Sequence, residues 1–140
     1  MNLHRPILLV EDSPMDVDLT RRAFGARNVL NPFVIARDGE EAIDYIDRWQ
    51  EADLLPIVIL LDIKLPRASG LEVLQHLKSH ARFRLVPVVV LTTSKVGSDI
   101  EQAYQLGANS YIVKPVEFDK FLEVARQIDL YWAMLNRAPD

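Results

Sequence analysis

The chain has 140 residues, 20 acidic and 16 basic side chains, a formal charge of −4 and no cysteine. That length implies one domain, and the missing thiols exclude disulfides, thiolate zinc sites, iron–sulfur clusters and cysteine nucleophiles. The acidic balance argues against nucleic acid as a partner, the apolar runs fall short of the ~20 residues of a membrane span, and Met1–Pro6 lacks the apolar core of a secretory signal, so a cytoplasmic domain is expected.

The first apolar run, Ile7-Leu8-Leu9-Val10, is too short for a buried helix and does not alternate with polar residues, so it predicts a strand covered on both faces. Met15–Arg27 follows as a helix, opened by Ser13 as cap and Pro14 at its first position. Phe33–Ala36 is a weaker strand, and Glu40–Trp49 a helix with Ala42, Ile43 and Ile46 on one face. A charged connection over Arg48–Pro56 leads to the strand Ile57–Leu61. Leu71–Ser79 forms a helix on Leu71, Leu74 and Leu77, Val88–Leu91 a strand, and Ser98–Leu106 a helix stopped by Gly107. Tyr111–Val113 is the last strand and Phe118 to about Asn136 the last helix. Alternation βαβαβαβαβα means a doubly wound α/β layer with a parallel sheet and right-handed crossovers. Residues 1–140 form a single unit, with no output domain expected.

Polar residues end these strands. The first runs into Glu11-Asp12, the third into Asp62, the fourth into Thr92-Thr93-Ser94 and the fifth into Lys114-Pro115. Parallel strands bring their carboxyl ends to one edge, where open α/β sheets build ligand sites. Three carboxylates, a hydroxyl and an ammonium therefore converge. Like charges that close repel by roughly several kcal/mol per pair at an effective dielectric near 20, so protons or a cation must relieve them. Oxygen donors without His or Cys favour Mg2+, which keeps positions open for water or phosphate oxygens. Lys114 and Thr92 suit the remaining oxygens of a phosphoryl group. Each position alone also fits a plainer role: Asp12 or Ser13 as a helix cap, Thr92 or Ser94 as turn residues. Asp62 is the most telling, because a carboxylate directly after five apolar residues needs a partner.

The segments Leu8-Leu9-Val10-Glu11-Asp12-Ser13, Leu61-Asp62-Ile63-Lys64-Leu65-Pro66 with Gly70, Val90-Leu91-Thr92, and Tyr111-Ile112-Val113-Lys114-Pro115 resemble the receiver domains of two-component response regulators. The resemblance covers about residues 6–130. It implies a flavodoxin-like receiver fold with strand order 2-1-3-4-5, and a signalling protein rather than an enzyme acting on an outside substrate. It further implies Asp62 as phosphoacceptor, Asp12 as direct Mg2+ ligand, Glu11 on metal-bound water and the Lys64 carbonyl completing the ligands. Thr92 would be the switch hydroxyl, Tyr111 the switch aromatic and Lys114 the lysine that pairs with acceptor and phosphoryl group, with a cis Lys114–Pro115 bond. A sensor histidine kinase is the implied partner. Glu11 stands where the family more often has Asp, Lys64 where an uncharged side chain is common, and Thr93 where Ala or Gly is frequent; the last two bear on access to an acyl phosphate.

On the last helix Phe118, Phe121, Leu122, Ala125, Ile128 and Trp132 share a sector, and Val124, Tyr131 and Leu135 widen it to roughly 180°, against the ~100° that one sheet face requires. The surplus predicts a homodimer through this extended C-terminal helix. This helix, the missing output domain and Leu91-Thr92-Thr93-Ser94 look most like the small receivers of bacterial and cyanobacterial phytochrome kinases. Three rival readings compete with this one. A flavodoxin-like phosphate binder is opposed by the acidic loop Glu11–Asp16. Resemblance to dehalogenase-type phosphohydrolases would demand an Asp where Lys64 stands. A degenerate receiver would act by binding alone. His4, His76 and His80 are read as surface residues, and Tyr45 and Trp49 as packing.

Overall fold

The computed structural model describes residues 5–114, 117–119, 122–123 and 125–126. Strands β1 (Ile7–Val10), β2 (Phe33–Ala36), β3 (Val58–Leu61), β4 (Val88–Thr92) and β5 (Ser110–Val113) alternate with helices α1 (Pro14–Ala26), α2 (Gly39–Arg48), α3 (Gly70–Ser79) and α4 (Gly97–Gln105). The strands form one parallel sheet in the order β2-β1-β3-β4-β5. Phe118, Asp119, Leu122, Glu123, Ala125 and Arg126 are helical.

Strand periodicity divides the core in two. Leu8, Val10, Ile59, Leu61, Val88 and Val90 face α2, α3 and α4, where they meet Ala42, Ile46, Val73, Leu74, Leu77 and Ala103. Ile7, Leu9, Val58, Leu60, Val89 and Leu91 face the other way, onto Val17, Ala23 and Phe24 of α1 and onto Ala125 and Leu122. Both faces are therefore covered, which is why the central strands read as unbroken apolar runs.

Each of the first three helices starts on a side-chain cap. Ser13, Asp38 and Ser69 accept from the backbone N–H of Asp16, Glu41 and Glu72, satisfying donors that a helix start leaves open. Helix α1 ends on Asn28 at φ 62°, with the Val29 N–H on the Phe24 carbonyl. Helix α4 ends on Gly107 at φ 102°, with the Ala108 N–H on the Ala103 carbonyl. Both are left-handed terminations, and the second is the one expected of Gly107.

A 3-10 turn at Phe83–Leu85 was not anticipated. Its driving force is the buried Phe83 ring, packed edge-on against Tyr45, Trp49 and His80, while the His80 Nδ1 accepts from the N–H groups of Arg82 and Phe83. Tyr45 and Trp49 are thus packing residues, as their positions suggested. His76 pairs with Asp47 across α2 and α3. His4, the Lys114–Pro115 bond, and the surplus residues Val124, Tyr131 and Leu135 lie outside the described residues.

Candidate functional site

Register decides what meets at the carboxyl edge. Val10 pairs with both Ala36 and Leu61, Leu61 with Val90, and Thr92 with Val113. The residues just beyond these rungs are Glu11 and Asp12, Asp62, and Lys114, beside Thr92 itself. Glu11, Asp12 and Asp62 each place a carboxylate oxygen within 4.8 Å of the others. Glu11 and Asp62 are buried and Asp12 is exposed, so the cluster has an inner wall and an open mouth.

Asp62 is held from three sides. Its Oδ1 accepts from the Thr92 hydroxyl at 2.5 Å and from the Lys64 N–H at 3.0 Å, and its Oδ2 accepts from the Lys114 ammonium at 3.2 Å. The Lys64 side chain itself is exposed. The loop after Asp62 is clamped by glycines. A Cβ on Gly70 would lie 2.1 Å from the Asp62 carbonyl oxygen, and one on Gly39 would lie 2.0 Å from the Ala68 oxygen. The Gly39 N–H donates to the Pro66 carbonyl, and the Gly70 N–H to that of Ile63. Arg67 and Ala68 within this loop take left-handed backbone at φ 53° and 83°, a conformation that non-glycine residues hold only when their surroundings impose it.

Lys114 is the hub. Its Nζ donates to Glu11 Oε1 at 2.5 Å, to Asp16 Oδ2 at 2.9 Å and to Asp62 Oδ2. Burial works against its charge, but the hydrogen bonds to Asp16 and Glu11 and the charge of Asp62 more than offset this and hold its pKa above the usual lysine value. Burial pushes the Glu11 carboxyl up to about 7, with the Asp62 charge adding to the rise and Lys114 opposing it. The direction follows from a carboxylate cut off from water that faces a second carboxylate. Glu11 Oε2 also accepts from the Ser13 N–H.

The hydroxyl end continues into a second network. The Ser94 N–H donates to Thr92 Oγ1 at 3.4 Å, the Ser94 hydroxyl donates to Asp99 Oδ2 at 2.6 Å, and the Ser94 carbonyl accepts from the Tyr111 hydroxyl at 2.9 Å. The Tyr111 N–H in turn donates to the Tyr104 hydroxyl. Burial and nearby Asp99 and Asp62 raise the Tyr111 phenol pKa against the Ser94 hydrogen bond. Thr92 thus already reaches Asp62 and Tyr111 already reaches the loop behind it.

Of the strand-end residues singled out in the sequence, Glu11, Asp12, Asp62, Thr92 and Lys114 converge here, with Tyr111 and Ser94 behind, while Thr93 is exposed and Pro115 lies outside the described residues. Ser13, not Asp12, caps α1, which leaves the Asp12 carboxylate to the cluster. Sequence reasoning missed Asp16 and the Ser94–Asp99 pair. A first-turn acid four residues after Asp12 was the available signal for Asp16. Helix α4 lacks a side-chain cap at Val96, and Ser94 with Asp99 occupies that turn instead. An open groove between α3 and α4, lined by Leu71, Glu72, Gln75, Gln102, Gln105 and Leu106, shares no residue with this cleft.

A five-stranded 2-1-3-4-5 sheet with an acidic cluster, a hydroxyl and a lysine at its carboxyl edge defines a class, and residues 7–126 match it: the chain belongs to the response regulator receiver domain family. Among curated relatives it is 41% identical over 135 residues to the probable methanogenesis regulatory protein FilR2 of Methanothrix harundinacea (strain 6Ac), covering 95% of this chain and 86% of the relative. Among solved structures it is similar to the phosphorylated cyanobacterial phytochrome response regulator RcpA, with a TM-score of 0.87 and 36% identity over 98% of this chain and 99% of that one. The Mn(2+)-bound response regulator Rcp1 gives a TM-score of 0.85 at 32% identity over 97% and 99% of the two chains. Among the described residues no helix is long and apolar enough to cross a membrane.

Proposed function

We propose that this protein receives a phosphoryl group on Asp62 from a phosphohistidine of a sensor histidine kinase, and that a phytochrome is the kinase class. The observation that carries the first part is the set of contacts on one buried carboxylate: Thr92, the Lys64 N–H and Lys114 all aim at Asp62. Likeness to the phytochrome response regulator RcpA supports the second.

In the transfer an Asp62 oxygen forms the new P–O bond while the P–N bond breaks and the imidazole leaves with the electron pair. Lys114 and Thr92 donate hydrogen bonds to the oxygens on which charge accumulates, so their contribution is positioning and electrostatics. Glu11, Asp12 and Asp62, with the Lys64 carbonyl, would hold Mg2+. Their all-oxygen donor set and close carboxylates fit a hard cation, and Mg2+ held there would supply neutralising charge to the phosphoryl oxygens. The signal then leaves through Thr92, Ser94 and Tyr111 toward the α4–β5 surface, a local charge change biasing a two-state element. The apolar periodicity of the sequence from Phe118 to Leu135 supports a homodimer as the receiving assembly, which sedimentation with and without a phosphoryl analogue tests.

Labelling by acetyl phosphate tests the central assignment. One acid-labile phosphoryl group per chain, dependent on Mg2+ and lost in Asp62→Asn, is the expected result. No labelling of the unmodified protein would leave a degenerate receiver that acts by binding alone. Comparison of transfer rates from phytochrome and other histidine kinases then tests the kinase class.

A further inference from the structure

Asp16 stands outside the residues just assigned, yet it makes a direct contact with the Lys114 ammonium. Lysine has three N–H donors and no more. In Lys114 they go to Glu11 at 2.5 Å, Asp16 at 2.9 Å and Asp62 at 3.2 Å, and the side chain is 4% exposed. The ammonium is saturated, and its longest contact is the one to the phosphoacceptor.

A phosphoryl group on Asp62 changes the demand on those donors. The carboxylate becomes a neutral acyl group, while charge of about −2 and three acceptor oxygens appear one P–O bond further out. To follow that charge, Nζ must move outward and lengthen a contact to Glu11 or Asp16. The two differ in what losing the lysine costs. The Glu11 side chain is 4% exposed, and a buried carboxylate stripped of its cation is strongly destabilising. The Asp16 side chain is 27% exposed, in the first turn of α1, where water can replace the ammonium. Asp16 is the contact that yields.

We propose that Asp16 is a positioning residue that holds Lys114 on the α1 side of the cleft in the resting protein and competes with the phosphoryl group for it. The inference rests on Asp62 being the phosphoacceptor. Asp16 thereby restrains phosphorylation, and phosphorylation in turn releases the α1 first turn from its ion pair with the residue that follows β5.

The test compares Asp16→Asn and Asp16→Glu with the unmodified protein. Asn keeps an acceptor for the ammonium but loses the charge. It should therefore raise the second-order rate of Asp62 labelling by acetyl phosphate about three- to tenfold, the difference between a charge-assisted and a neutral hydrogen bond. Beryllofluoride with Mg2+, as a phosphoryl analogue, should bind more tightly by the same factor. Asp16→Glu should restore the slower rate and weaker analogue binding. In the unmodified protein the Lys114 Nζ resonance should shift on beryllofluoride addition, and in Asp16→Asn the analogue-free resonance should lie nearer the bound position. A merely structural Asp16 would lower both rate and affinity and leave that resonance pattern unchanged. Labelling of the unmodified protein at Asp62 with an unchanged or slower Asp16→Asn overturns this inference alone. An unlabelled unmodified protein overturns the phosphoacceptor reading and this inference with it.

Discussion

Lys114 Nζ lies 2.5 Å from Glu11 Oε1, although 103 positions separate the two residues, and both side chains are almost wholly buried. Strands β1 and β5 are thus tied through one ion pair at the carboxyl edge of the sheet. Breaking such a pair by removing one member typically costs about 3–5 kcal/mol, because the other charge stays buried. Lys114→Met should therefore be destabilised by an amount of that order at about pH 8. The loss should shrink toward pH 5, where Glu11 takes up a proton instead. Urea unfolding at the two pH values checks this; equal stability of variant and parent at the higher pH would contradict the pair's role.

The raised Glu11 carboxyl makes a pH prediction with a definite sign. Burial lifts its folded pKa to about 7, above the ordinary glutamate value of 4.5. A group raised on folding contributes stability in full below its unfolded pKa and loses that contribution as pH climbs through the folded value. The metal-free protein should accordingly lose stability between about pH 4.5 and pH 7 on Glu11's account, and Glu11→Gln should flatten that part of the profile. Chemical denaturation in EDTA across the range measures it. A Glu11→Gln slope identical to the parent's would remove Glu11 as the cause.

The strands were legible because burial on both faces leaves an unbroken apolar signature, and their polar termini were legible because a parallel sheet gathers carboxyl ends at one edge. Contacts made by residues within helices were not. Asp16 reads like any first-turn acid beside a helix N-terminus, and only the packing of α1 against the sheet turns it toward Lys114. Ser94 and Asp99 are likewise ordinary loop and first-turn residues until Tyr111 folds onto the Ser94 carbonyl. The 3-10 turn depends on Phe83 finding Tyr45, Trp49 and His80, a meeting of three separate segments that no local pattern announces.

The acidic pair should separate into metal binding and phosphate chemistry. Asp12 is exposed while its oxygen still reaches the Glu11–Asp62 cluster, so Asp12→Ala removes a ligand without opening the core. Mg2+ affinity should fall by at least about tenfold, the lower end of what loss of even an outer-shell partner costs. Metal-free thermal stability should rise as like-charge repulsion is relieved. Titration calorimetry and thermal melts measure the two effects; unchanged Mg2+ affinity would take Asp12 out of the site. Asp62→Asn, nearly isosteric, should keep the fold and lose acid-labile phosphorylation, which intact-mass measurement after acetyl phosphate treatment reads directly.

Two glycines of opposite surroundings test how the Asp62 loop is held. At Gly70 a Cβ would lie 2.1 Å from the Asp62 carbonyl oxygen and 2.5 Å from the Ile63 Cα. Both are backbone atoms, so no side chain can swing away and the loop itself must move. Overpacking of this kind costs about 1–3 kcal/mol, and Gly70→Ala should reach at least the upper part of that range. Because the displaced atoms belong to Asp62 and Ile63, the variant should also lose alignment of the carboxylate with Thr92 and Lys114, and its labelling by acetyl phosphate should slow more than its stability loss alone explains. Gly25, exposed in α1 with nothing within 4 Å of an added Cβ, is the counterpart. Gly25→Ala should stabilise the protein by about 0.5–1 kcal/mol through reduced backbone entropy of the unfolded chain and leave phosphorylation untouched. Urea midpoints with labelling rates for both variants make the comparison. Gly70→Ala with parental stability and parental labelling would mean that the loop has room to yield and that its close packing does not set the position of Asp62.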